Sequence, residues 1–197
     1  MDKAKRKTHI LKVAKACFEA YGFNQTSMDY LAQQCELTKR TVYKYYRSKD
    51  ELYFDLVCES FMKFESKYLT IDASMSAIDQ INTLMDCYIE FFEESPFFAN
   101  LMVTRKVYEQ EDPLVLEKIK RIETYAKGIP LPQFIEKGIH EGSLRDDIEP
   151  YQQALIIWGA LHGVMEIAVN KTRLIENRDI KSFLLRSKAM LIQSMRQ

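Results

Sequence analysis

Glycine and proline are scarce here, six and five among 197 residues, and that scarcity excludes several classes of protein. A phosphate-cradling loop has little to be made from, and no GxSxG, HExxH, P-loop or glycine-rich nucleotide fingerprint occurs. The chain is therefore expected not to be an enzyme and to need no cofactor. Cys17, Cys35, Cys58 and Cys87 are widely spaced, with no CxxC and no histidine at ligand spacing. That pattern points to free thiols in a reducing cytoplasm, without a disulfide framework or a metal site. The longest apolar run, residues 154–160 apart from its glycine, falls far short of the ~18 residues that suggest a membrane span. The basic start MDKAKRK is not followed by the short apolar region and cleavage site of a signal peptide, so none is expected. Net charge is also absent, with 28 basic and 28 acidic side chains. A hydrophobic content of 47% excludes a disordered polymer.

The neutral total hides an uneven distribution. Residues 1–49 hold eleven Lys and Arg against four Asp and Glu, a net +7, and the remainder carries −7. Such a split points to a polyanion-binding end joined to something else. Helical periodicity runs through both parts, with no convincing strand alternation, so the expected fold is all-α with about nine helices. Ile10, Ala14, Cys17, Phe18 and Tyr21 share one face of a first helix that Gly22 can end. The preceding Lys3, Lys5, Arg6 and Lys7 read as a mobile arm. Ser27 can cap a second helix with Leu31, Ala32 and Cys35 inward, and Thr38 a third with Val42 and Tyr46 inward. Ser48-Lys49-Asp50-Glu51 reads as a capping box opening a fourth helix to about Tyr68. Ser95-Pro96, Asp112-Pro113, Gly128 to Pro132, Gly142 and Pro150 punctuate the rest, leaving an apolar helix at 151–169 and a last one after Asn177.

The stretch "LTKRTVYKYYRSKDEL", residues 37–52, joins five cations to three tyrosines. Two short helices, roughly 28–35 and 39–45, separated by three or four residues, have the dimensions of a helix-turn-helix. With Val42 and Tyr46 inward, Lys39, Arg40, Tyr43 and Lys44 face out near the helix start, where side chains can reach base edges in a major groove. Lys and Arg can donate to guanine O6 and N7 or to phosphate, and the hydroxyls of Thr41, Tyr43 and Tyr45 to phosphate oxygens. Lys49 stands at a helix start, whose free N–H groups also favour an anion.

Residues 10–57, through "YGF", "TSMDYLA" and "LTKRTVYKYYRSKDEL", resemble the N-terminal domain of the TetR family of bacterial transcriptional regulators. The resemblance implies an all-helical homodimer that represses transcription from a near-palindromic operator in double-stranded DNA and lets go when a small molecule binds its C-terminal domain. By the matched positions, Ser27, Lys39, Arg40, Thr41, Tyr43, Lys44, Tyr45 and Lys49 fall where members of that family touch DNA. Two positions depart from the pattern. Glu36 stands where the family turn usually has glycine, and a left-handed backbone there costs about 1 kcal/mol relative to glycine. Arg40 stands where a small residue is frequent, adding charge and length.

The expected division is a DNA-binding domain over 1–48 and a ligand-binding and dimerisation domain over 49–197. The latter resembles the family's ligand domain loosely, through "GIHEGSLRDDIEP" and "ALIIWGALHGVMEIA". Gly159, Ala160 and Gly163 would let a second helix approach closely, and the resemblance implies a dimer face formed by this helix and the last one (Ile180, Phe183, Leu184, Met190, Leu191). Candidate effector-binding residues are Tyr88, Phe91, Phe92, Phe98, Met102, Tyr125, Trp158, His162 and Met165, though aromatics and methionine at helical spacing equally build a core. The expected function is a cytoplasmic repressor released by an apolar or aromatic molecule of unknown identity. The alternative is a regulator of the same fold controlled by a protein partner or by no ligand.

Overall fold

A computed structural model of the protein describes residues 2–94, 112–170 and 179–197. Among them lie nine α-helices and no strand. They are α1 (Lys3–Gln25), α2 (Met28–Gln34), α3 (Lys39–Tyr43), α4 (Lys49–Tyr68), α5 (Ala77–Glu94), α6 (Pro113–Lys127), α7 (Leu131–His140), α8 (Pro150–Asn170) and α9 (Ile180–Gln193). The all-α expectation holds. Ser95-Pro96, Phe98, Met102 and Asn177 lie outside the described residues. The chain forms two compact units. One comprises Met1–Met62 with the described part of Leu101–Ala126; the other comprises the described parts of Lys63–Asn100 and Lys127–Gln197. The change of charge near residue 48 falls inside the first unit, and α4 supplies residues to both.

In the first unit, α1 buries Ile10, Leu11, Ala14, Cys17 and Phe18. Gly22, at φ +78°, interrupts the helix with a backbone that a Cβ would disfavour. Thr26, fully buried, donates its hydroxyl to the Gly22 carbonyl at 2.8 Å and steadies the break. Tyr21, expected inward, is instead 53% exposed and lies edge-on to Tyr30. Beyond the break Phe23 folds back onto Phe18 and Tyr53, at 5.5 and 4.9 Å between ring centroids, and fills the end of the apolar stripe. The expected mobile arm is also corrected, because Lys3 to Lys7 form the first turns of α1.

Caps set the next three helices. Ser27 accepts from the Tyr30 N–H and Thr38 from the Thr41 N–H. Between them Glu36 takes φ +54°, the left-handed turn expected from its place in the sequence. Ser48 accepts from the Glu51 N–H, but Glu51 reaches back to the Arg47 N–H at 2.7 Å, one residue earlier than a reciprocal capping box requires.

Asp55, on the second turn of α4, ties this unit together. It accepts from the Tyr46 hydroxyl at 3.0 Å, from Lys7 of α1 at 2.8 Å and from Lys118 of α6. Burial pushes its carboxyl pKa up, but the bonds and charges of Lys118 and Lys7 outweigh that and hold it below the ordinary value. Burial first, and the Asp55 charge next, push the Tyr46 phenol far above the usual tyrosine range, so it stays a donor.

In the second unit α5 packs on α7 and α9, and α8 on the same two helices. Gly138 of α7 is required by close approach, since a Cβ would stand 2.5 Å from Leu144. Leu144 is fully buried and pairs with Arg196 in an isolated antiparallel bridge, so the C-terminal residues close over the α7–α8 loop. Leu184 of α9 is also fully buried, which removes it from any surface. Leu155 and Ile156 of α8 and Met190 of α9 remain exposed, and nothing lies within 4 Å of where Gly159 or Gly163 would carry a Cβ.

Two predictions arise from the first unit. Glu36→Gly should hold or raise stability, by up to about 1 kcal/mol, whereas Glu36→Val should lower it by more, because a β-branched residue tolerates φ > 0 poorly. Urea denaturation of the three proteins checks the order. The Asp55 carboxylate, depressed in the fold, contributes stability that is complete above the ordinary carboxyl pKa of ~3.9 and disappears as pH falls through its lower folded value. The acid-side fall of Tm should therefore be shallower in Asp55→Asn, measured by thermal denaturation across that range.

Candidate nucleic-acid interface

α3 is only five residues long, so its geometry is imposed by what flanks it. Thr38 caps its start, and the Leu37 N–H donates to the Ala32 carbonyl across the turn. Val42 and Tyr46, 0% and 1% exposed, anchor its inner side. The opposite side carries Lys39, Arg40, Tyr43 and Lys44, all exposed. Thr41 and Tyr45 are half-buried beside them. Ser27 is exposed at the start of α2, its oxygen accepting from the Tyr30 N–H.

Two of the cations have protein partners that local spacing did not reveal. Lys39 Nζ lies 2.7 Å from Asp29 Oδ1 of α2, and this bond and charge raise the Lys39 pKa. The same ammonium lies 5.9 Å from the centre of the Tyr43 ring. Lys49 is half-buried. It donates to the Phe23 carbonyl at 2.6 Å and lies 4.2 Å from the centre of the Phe23 ring. It thus fastens α4 to the end of α1, in addition to standing at a helix start. Thr41 Oγ1 shares a hydrogen bond with Thr38 Oγ1 at 2.8 Å.

The nine candidate effector residues are only partly brought together. Tyr88 and Trp158 lie with ring centroids 4.6 Å apart, and the Tyr88 hydroxyl and His162 Nδ1 are 3.2 Å apart. Phe91 stacks on Tyr88 at 6.1 Å. Phe92 and Met165 are buried in the same unit, while Tyr125 belongs to the first unit and Phe98 and Met102 lie outside the described residues. Tyr88 and Trp158 line a cleft with Phe64, Leu84, Ile129 and Ile157, whose free volume is about 20 Å³. Among the described residues no cluster of three or more His, Cys, Asp or Glu could hold a metal, and no helix is long and apolar enough to cross a membrane.

A short capped helix that presents three cations and a tyrosine, behind a left-handed turn, has the layout of the second helix of a helix-turn-helix. Residues 10–56 match the model for bacterial regulatory proteins of the tetR family. A relative in Bacillus subtilis (strain 168), the uncharacterized HTH-type transcriptional regulator YhgD, is 24% identical over 152 residues, covering 71% of this chain and 72% of its own. A bacterial regulatory protein in the tetR family from Rhodococcus RHA1 superposes with a TM-score of 0.74 at 17% identity, over 99% of this chain and 98% of its own. The transcriptional regulator FadR from Bacillus subtilis in complex with stearoyl-CoA superposes with a TM-score of 0.72 at 16% identity, over 94% and 97%. Residues 10–56 are thus those of a tetR-family regulatory domain, and the fold of the whole chain is shared with solved regulators of that family.

Lys49 and Lys44 should differ in stability. Lys49→Ala removes a charged hydrogen bond to a carbonyl and should cost about 1–3 kcal/mol, while Lys44→Ala on the exposed side should change stability by less than about 0.5 kcal/mol. Urea denaturation checks both.

Proposed function

We propose that this regulator is a repressor that binds a near-palindromic operator as a homodimer in the cytoplasm and is released by a small apolar or aromatic molecule. The observation that carries the DNA-binding assignment is the exposed set Lys39, Arg40 and Tyr43 on α3 and Lys44 at its C-terminal end. In this reading 1–48 is the DNA-binding domain, with Ser27, Thr41, Tyr45 and Lys49 contacting the backbone around the helix. Residues 49–197 bind effector and form the dimer, through the exposed side of α8 and α9. Two recognition helices would then stand ~34–36 Å apart on DNA.

The effector is assigned to the aromatic cluster of Tyr88, Phe91, Trp158 and His162, with Phe92 and Met165 behind it. The stearoyl-CoA in the FadR neighbour makes acyl thioesters one class to test beside aromatic compounds. A ligand releases DNA only if it prefers a conformation that does not fit the operator. α4, twenty residues and so ~30 Å long, supplies residues to both units and is the element whose tilt would carry the change. One observation favours a second reading. A cleft of about 20 Å³ holds no more than a water, as expected if a protein partner, or nothing, controls the regulator.

The test uses a duplex from upstream of the protein's own gene. Binding by a dimer should weaken steeply with salt, with log K falling linearly in log salt as counterions are released. A monomer at micromolar concentration, or salt-independent affinity, would overturn the reading. Lys44→Ala should alter base preference and Lys49→Ala weaken all duplexes alike, compared by binding-site selection. Titration of Trp158 fluorescence with acyl thioesters and aromatic compounds, with and without saturating operator, tests induction. The operator must weaken an inducing ligand by the factor by which that ligand weakens the operator. Equal affinity in both arms would rule that ligand out as an inducer.

A further inference from the structure

The side of α3 that faces away from the exposed cations is held by a polar bond as well as by packing. Tyr46, three residues after α3, is 1% exposed and donates to Asp55 Oδ2. The other oxygen of Asp55 takes Lys118 of α6, a residue 63 positions away from it in the chain. Both ends of that ion pair are largely shielded, at 15% and 12% side-chain exposure, whereas Lys7, the second cation on Asp55, is half exposed. A five-residue helix cannot set its own direction. Its seat is therefore fixed in part by a charge that arrives on a different helix.

We propose that Asp55 and Lys118 are positioning residues for operator recognition, acting through the Tyr46 hydroxyl to fix the angle at which α3 presents Lys39, Arg40 and Lys44. This rests on the DNA-binding reading above and adds to it residues that contact no DNA. A functional constellation must be held close to its productive geometry by the shell behind it, and base readout depends on geometry far more than phosphate attraction does. The expected signature is loss of discrimination between operator and unrelated duplex, with little change in affinity for the unrelated duplex.

The charges make the test sharp. Asp55→Asn removes a negative charge and Lys118→Met removes a positive one, so through the long-range field alone they should move DNA affinity in opposite directions. Through positioning, both should lower the operator-to-unrelated affinity ratio. The duplexes are the site selected by the wild-type protein and a scrambled version of it, measured by fluorescence anisotropy at one fixed salt concentration. The expected result is a fall of about tenfold in the ratio for both variants, the equivalent of roughly one base contact. Tyr46→Phe, which removes only the hydroxyl, should produce a similar fall, and Lys118→Arg should recover most of the loss seen in Lys118→Met. Val115→Ala, a core truncation on α6, serves as the stability control and should leave the ratio unchanged after comparison of thermal midpoints.

Opposite shifts for Asp55→Asn and Lys118→Met with the ratio preserved would overturn the proposal, as would an equal fall of the ratio in Val115→Ala. If Asp55→Asn does not fold, Tyr46→Phe decides on the same criterion. A wild-type protein that selects no sequence at all defeats the DNA-binding reading and this one with it. Selection by the wild type, with an unchanged ratio in Tyr46→Phe, defeats only this one.

Discussion

A single carboxylate, Asp55, joins three separate parts of the chain. Removing such a group from water disfavours its charge, and two ammonium groups and a phenol restore the balance. The consequences reach outward from there. Lys7, in the first turns of α1, is held against α4. Tyr46 gains a polar anchor beyond its buried ring, which holds the exit from α3. Lys118 fastens α6 to α4, with the Cys58 thiol donating to the Lys118 carbonyl at 3.7 Å close by. A buried ion pair often adds little net stability compared with apolar packing. Its contribution here is better understood as choosing one arrangement of helices among several that a greasy interface would accept.

The cationic face faces a related conflict. Binding DNA calls for exposed positive charge, but clustered positive charge repels itself in the free protein. Asp29 lies beside Lys39, and Phe23 and its carbonyl receive Lys49, so two of the cations are held while Arg40 and Lys44 remain exposed. An exposed pair such as Lys39–Asp29 is weak and screened by salt, so its opening is a minor cost on binding a polyanion. Lys49 is different in kind. Its ammonium lies over an aromatic ring and on a carbonyl at the end of a broken helix, which makes it part of the fold before it is part of any interface.

What could be read from the sequence follows from the range of the interactions. Caps, turns and helix faces are settled within a few residues, so Ser27, Thr38, Asp112-Pro113 and the inward Val42 and Tyr46 were legible. Glu36 was legible through the family resemblance, since glycine usually stands at that place in the turn. The Lys49–Phe23 and Lys118–Asp55 bonds span 26 and 63 residues, and no local periodicity encodes them. Tyr21 sat at the right helical spacing for the core, but Phe23 folded back past Gly22 and took that space. Gly138 shows the same limit, since its need for a bare Cα comes from Leu144 and from Ala77 on another helix. The candidate effector residues were the least legible, because aromatic side chains at helical spacing look alike whether they fill a core or line a cavity.

That ambiguity has a physical counterpart in the second unit. Phe64, Tyr88, Phe91 and Trp158 meet at centroid distances of 4.6 to 6.1 Å, so the cluster is packed as a core and the adjoining cleft has room for a water. A drug-sized ligand needs several hundred Å³. A ligand of that size seated among these four rings would have to part them, and its binding and the change of shape would then be one event. The ring contacts it breaks set a free-energy cost that its own apolar surface must offset. Phe64 lies on α4, the helix whose first turns carry Asp55. A ligand that bound the closed and the parted arrangement equally well would shift nothing, so an effector acting here would have to prefer the parted one.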